Sequence, residues 1–164
     1  MRKPLFRALL GFVFLAIASS ASAQVWTAVA SSGAIEDNSA ATYGTSNGAL
    51  FFRSGATGNV NAIYNVTDPK DSGSPSWTTL EFVAKTGGGL GVFATASLYR
   101  QPRFSGTAIA ICSALAPATG ALSTSTCTFS SSTFDFANNY YFVRVSLGRT
   151  STAQSQTAWG VQIY

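Results

Sequence analysis

The sequence predicts an all-β protein: a single antiparallel β-sandwich, jelly-roll-like, of about nine short strands with one disulfide. Two observations carry that expectation. After residue 24 no stretch keeps a helical period; apolar residues instead alternate in short runs separated by Gly, Ser, Asn and Pro. The chain has two cysteines, Cys112 and Cys127, and an even pair in an exported protein reads as a disulfide. Closing that loop restricts the unfolded chain and contributes about 3 kcal/mol when the native geometry is unstrained.

Taken in order, the first predicted strand is 25–29, "VWTAV". The Asn-Gly turn of "TSNGAL" leads into 49–53. Strand 59–66 ends at "TDPKDSGSPS", where Asp-Pro, Ser-Gly and a second proline mark the loop before 78–85. "TGGGLG" then joins 78–85 to 91–100 and reads as a hairpin turn, because a dinucleotide-binding glycine loop must lie between a strand and a helix. Strands 107–113 and 123–129 flank "ALAPATGALSTST", a long tip tied at its base by the disulfide. Asp135, between Phe134 and Phe136, is expected to form an Asx-type turn into strand 140–147.

In strand 140–147 neighbouring side chains point to opposite faces, so Tyr141, Val143, Val145 and Leu147 form a core row. Tyr140, Phe142, Arg144 and Ser146 form the other row, either packed under a loop or presented to a partner. The last strand, 158–164, has the apolar row Trp159, Val161 and Ile163, with Trp159 expected in the core. The row that ends at Tyr164 runs through Gln162, Gly160 and Ala158, which argues against the lipid-facing row of an outer-membrane barrel.

The N-terminus reads as a secretory signal peptide over 1–23: basic "MRKPLFR", apolar "ALLGFVFLAIA", then small "SSASA", with cleavage after Ala23. One β-sandwich domain over 24–164 is expected to follow. Loss of Arg2, Lys3 and Arg7 leaves a nearly neutral mature chain without a basic stripe, which speaks against nucleic acid as a partner. Charged residues make up only 10% of the chain, so hydroxyls and amides keep the surface soluble and protect it poorly against association.

The chain has no histidine, which excludes Ser-His-Asp and Cys-His catalysis and His-containing zinc sites. Glu81 and Asp135 are the carboxylates that a glycosidase-like pair would draw on, and surface or turn roles are favoured for both. Asp68 and Asp71 offer hard oxygen ligands for calcium but depart from the usual calcium loop, so an ordinary turn is expected, as it is for "EDN" at 36–38. Asn65 of "NVT" matches a glycosylation sequon. No catalytic residue, metal or cofactor is assigned.

The residues carried forward for binding or assembly are Trp26, Trp77, Tyr99, Tyr140, Phe142 and Arg144. The expected function is that of a secreted, non-enzymatic structural or adhesive surface subunit that self-associates through edge or terminal strands. Signal peptide, length, Ala/Thr/Gly richness, single disulfide and terminal aromatic together resemble bacterial pilin-type subunits in general features, although those carry their cysteine pair early in the mature chain. The alternative is an extracellular carbohydrate-binding module, a reading that burial of both Trp77 and Tyr99 would sink. Partners are accordingly a second copy or a surface glycan, with no nucleic acid and no membrane after signal cleavage. The location is extracellular, cell-surface or periplasmic.

Overall fold

The computed structural model describes residues 24–36, 42–69 and 74–164. The predicted signal peptide therefore lies outside the described residues, as do Asp37, Asn38 and Asp71. The described chain forms eleven strands: β1 Trp26–Val29, β2 Ala34–Ile35, β3 Tyr43–Ser46, β4 Ala49–Phe52, β5 Gly58–Val66, β6 Thr79–Thr86, β7 Phe93–Pro102, β8 Ile109–Leu115, β9 Leu122–Thr128, β10 Asn139–Arg149 and β11 Gln156–Ile163. All nine predicted strands are present. The two additions, β2 and β3, are short segments whose partners supply the pairing that their own sequences do not signal; β3 closes on β4 through Asn47 and Gly48, both at positive φ.

The strands make two antiparallel sheets. One runs β3-β4-β11-β6-β9, with β1 also pairing β11, and the other runs β2-β5-β10-β7-β8. Their inner faces form the core. Val143 stands between Tyr64 and Leu98, Val145 between Ala62 and Ala96, and Leu147 between Val60 and Ala94, so the alanine-flanked row lies between two rows of larger side chains. Tyr141 and those three residues of β10 are all buried, as the alternation of the sequence requires. Gly148 stands on the opposite, outward row, where an added Cβ would come within 2.2 Å of the Phe93 ring; the strand needs glycine there to let the ring lie across it.

The crossings between sheets correct one expectation and refine another. "TGGGLG" is not a hairpin turn, because β6 and β7 belong to different sheets. Hairpin and crossover share the same glycine-rich chemistry, and only strand pairing separates them. Likewise β8 pairs β7 and β9 pairs β6, so the Cys112–Cys127 bond joins the edge strands of opposite sheets. A further correction concerns Trp159. A register shift between Ala158 and Gly160 turns Ala158 inward and leaves Trp159 36% exposed, while Val161 and Ile163 remain in the core. One extra residue in a strand reverses which face its side chains take.

One end of the sandwich is closed by the loop between β9 and β10. Phe134 of that loop meets Trp77 edge-on at 5.1 Å and Tyr141 at 4.7 Å, with Phe129 and Phe136 around it. Trp77 Nε1 donates to the Gln24 carbonyl at 2.6 Å, and the Tyr141 hydroxyl donates to the Thr133 carbonyl at 2.8 Å. Burial pushes the Tyr141 phenol above its ordinary pKa. Nearer the other end, buried Arg149 donates to the carbonyls of Arg53, Ala56 and Gln154 at 2.7–2.8 Å and stacks over Phe52 at 4.7 Å. Three loop carbonyls are thereby satisfied by one fixed fork of donors.

Candidate functional site

The outward row of β10 lies on the outer face of the five-stranded sheet. Pairing sets its neighbours: Phe142 stands between Asn65 of β5 and Tyr99 of β7, Arg144 between Ile63 and Ser97, and Tyr140 opposite Gln101. Three residues from two strands become one patch. The Tyr99 and Phe142 rings stack 5.0 Å apart and 11° from parallel, and the Arg144 guanidinium lies 5.3 Å from the Tyr99 ring centre. Arg144 Nη2 donates to Glu36 Oε1 at 2.6 Å, which clasps one end of the patch to the residue that follows β2. That hydrogen bond raises the Arg144 pKa above its ordinary value.

The opposite end is open. There a groove of about 610 Å³ runs beside the patch, lined by Asn65, Gln101, Arg103, Asn139, Tyr140 and Phe142 among others. Tyr140 is 58% exposed. Arg103, from the turn after β7, holds its guanidinium 5.3 Å from the Tyr140 ring centre and donates through Nη2 to the Phe136 carbonyl at 2.8 Å. The groove thus combines aromatic rings, planar amides and a held cation. Asp68 and the exposed Asn65 of the sequon border the same groove.

The outer face of the six-stranded sheet has a different character. Glu81 accepts from Gln162 Nε2 at 2.7 Å and from the Tyr164 hydroxyl at 3.4 Å, beside a groove lined by Thr27, Val29, Val83 and Gly160. Burial, and next to it the Glu81 charge, raises the Tyr164 phenol pKa. Asp135 accepts from the Asn138 side-chain amide at 2.8 Å and from the Asn138 backbone N–H at 3.3 Å, which is the Asx-type turn that the sequence suggested. The Asn138 amide holds the Asp135 carboxyl below its ordinary range. Glu81 and Asp135 are committed to separate partners on separate elements. Among the described residues there is no group of three or more His, Cys, Asp or Glu side chains able to hold a metal ion.

Of the six residues carried forward, Tyr99, Tyr140, Phe142 and Arg144 come together on one face. Trp26 is half-buried against the core, and Trp77, only 1% exposed, is a core residue with no surface to offer. The reason is the β9–β10 loop, whose Phe134 covers the Trp77 ring. Tyr99 is half-buried, its ring held between Phe142 and Arg144. Gln101 and Arg103 were missed as site residues and Asn65 was noted only as a sequon. For Gln101 a signal existed, since it shares the strand parity of Tyr99.

Two packed antiparallel sheets with one inter-sheet disulfide define the chain as a β-sandwich protein. No family description matches the sequence, and no curated protein does. Among solved structures the chain is similar to a "xylan-binding module CBM15", with a TM-score of 0.51 and 15% identity, covering 87% of this chain and 96% of the other. A second structure, described as "CBM4 structure and function", gives a TM-score of 0.40 and 17% identity over 71% of this chain and 82% of the other. The first likeness is one of fold.

Proposed function

We propose that this protein is a secreted, non-catalytic carbohydrate-binding module and that the outer face of its five-stranded sheet holds the glycan. The observation that carries the reading is the open groove in which Tyr140 and Phe142 stand beside Asn65, Gln101 and Arg103. A pyranose ring has apolar C–H faces and a rim of hydroxyls. Aromatic rings take the faces, while amides and a guanidinium hydrogen-bond the rim through paired donors and acceptors. The sandwich fold shared with a xylan-binding module supports the reading by analogy of fold. Assembly through a donated C-terminal strand fits less well, because β11 already pairs β6 on one side and β1 and β4 on the other.

The test is affinity electrophoresis through gels containing xylan, mixed-linkage β-glucan or mannan. Wild-type protein should be retarded by at least one polysaccharide, Phe142→Ala should migrate freely, and Thr126→Ala on the other sheet should behave as wild type. Free migration of the wild type in every gel, or unchanged retardation of Phe142→Ala, would overturn the proposal.

A further inference from the structure

An edge strand leaves half of its backbone groups without partners, and sheet proteins blunt such edges with brevity, bulges, charge or cover. Most edges here follow that rule. β1 and β2 are only four and two residues long, the Arg53 guanidinium donates to the Tyr43 carbonyl of β3, and β8 is broken by a register shift where it meets Leu98 and Tyr99. β9 is the exception. It pairs β6 along all seven of its residues without a shift, and "LSTSTCT" holds no charge, no proline and no glycine.

The pairing decides which backbone groups of β9 are left over. The Phe129 N–H donates to the Thr78 carbonyl at 2.8 Å, so in this register the residues bonded to β6 are Ser123, Ser125, Cys127 and Phe129. The N–H and C=O of Leu122, Thr124, Thr126 and Thr128 therefore point away from β6, and none of them has a hydrogen-bond partner among the described residues. The same four side chains are exposed on the outer face, Leu122 to 60%.

We infer that β9 pairs antiparallel with β9 of a second copy of this chain, giving a two-fold dimer with one continuous sheet. A strand that pairs with itself must carry no charge that its own copy would repel, and β9 carries none. With the axis at Ser125, Thr124 stands opposite Thr126 of the second copy and Leu122 opposite its Thr128. Every left-over N–H and C=O is then paired, about eight hydrogen bonds in all. The charges next in line on β6 stay apart: Glu81 lies beside Thr126 and faces the Val83 row of the second copy, while Lys85 lies beside Leu122 and faces its Thr79 row. Leu122 gains cover from the Thr128 methyl group of the other copy. A two-fold axis between antiparallel strands stands perpendicular to their sheet, so the outer faces of both five-stranded sheets turn to one common side. If that face binds glycan, as proposed above, the dimer offers two grooves to one polysaccharide surface; the pairing itself does not rest on that reading.

The experiment is light scattering after size exclusion, over a wide range of protein concentration, for wild type, Thr124→Pro, the double variant Thr124→Lys with Thr126→Lys, and Thr107→Lys away from the edge. Wild type and Thr107→Lys should pass from one copy to two as concentration rises. Thr124→Pro removes an N–H that bonds nothing within its own copy, so it should keep the wild-type circular dichroism spectrum and stay at half the dimer mass throughout. The double variant sets like charges against each other across the axis and should also stay a single copy, which carries the test if the proline variant fails to fold. Wild type as a single copy at every concentration, or a dimer that survives both edge changes, would overturn the pairing. In xylan gels, Thr124→Pro should be retarded less than wild type. A wild-type dimer that no polysaccharide retards would overturn the glycan reading and leave the pairing standing.

Discussion

Arg144 and Arg149 stand on the same strand and lead opposite lives. Arg144 is on the outward row, half-exposed, paired with Glu36 and stacked beside Tyr99. Arg149 is on the inward row that runs from Tyr141 through Leu147, and it spends its guanidinium on three carbonyls of the protein's own loops. A cation on the core side of a sandwich is tolerated only where its donors are all engaged. A cation on the outer face keeps donors for solvent or a ligand. Strand parity alone separates a residue that holds the fold from one that borders the candidate site.

The contrast can be broken by substitution, and the largest effect belongs to the inner arginine. Arg149→Ala leaves three carbonyls without their donor and uncovers Phe52, so unfolding free energy should fall by about 3 to 5 kcal/mol in urea titration. Arg149→Lys keeps the charge and loses the fork, and should recover only part of that. A loss under about 1 kcal/mol for the alanine variant would show that the loops hold themselves.

At the outer arginine the effect should be small. Arg144→Ala removes a half-exposed ion pair and should cost about 1 kcal/mol or less, with the difference shrinking further at high salt. Arg144→Glu sets a like charge against Glu36 and also probes assembly. The binding reading expects an unchanged mass by light scattering, and dissociation of a larger species would instead return weight to a self-associating role.

The smallest effect lies at the Asp135 turn. Its carboxyl is held below the ordinary range in the folded protein, so the unfolded chain binds the proton first as pH falls. The stabilisation is present above the ordinary carboxyl range and is lost as pH drops through the folded value. In Asp135→Asn the fall in urea midpoint between about pH 5 and pH 2 should be shallower than in wild type. Parallel curves would remove Asp135 from the acid response.

Much of the site's raw material was legible. The alternation of 140–147 already placed Tyr140, Phe142 and Arg144 on one row and the core residues on the other, because side-chain direction in a strand follows from the local backbone. Trp77 was not legible in this way. Its surroundings depend on Phe134, which reaches it from a loop far along the chain. Trp159 was misplaced because a single bulge reverses parity, and the one local mark of it in "AWGVQIY" is Gly160, which fits a regular strand in close backbone approach equally well.

By itself the sequence determined the strand-rich class, the existence of the nine longer strands, the two rows of β10 and, on the even cysteine count, the covalent pair. These properties are local, set by side-chain period, turn residues and composition. Only the tertiary structure decided that Tyr99 stands beside Phe142, that Glu36 reaches Arg144, that Trp77 is covered, and that the disulfide and the glycine-rich turn span two sheets. Those facts depend on which distant strands exchange backbone hydrogen bonds. Many pairings satisfy the same alternation, and the choice among them is made by how the two inner faces pack together.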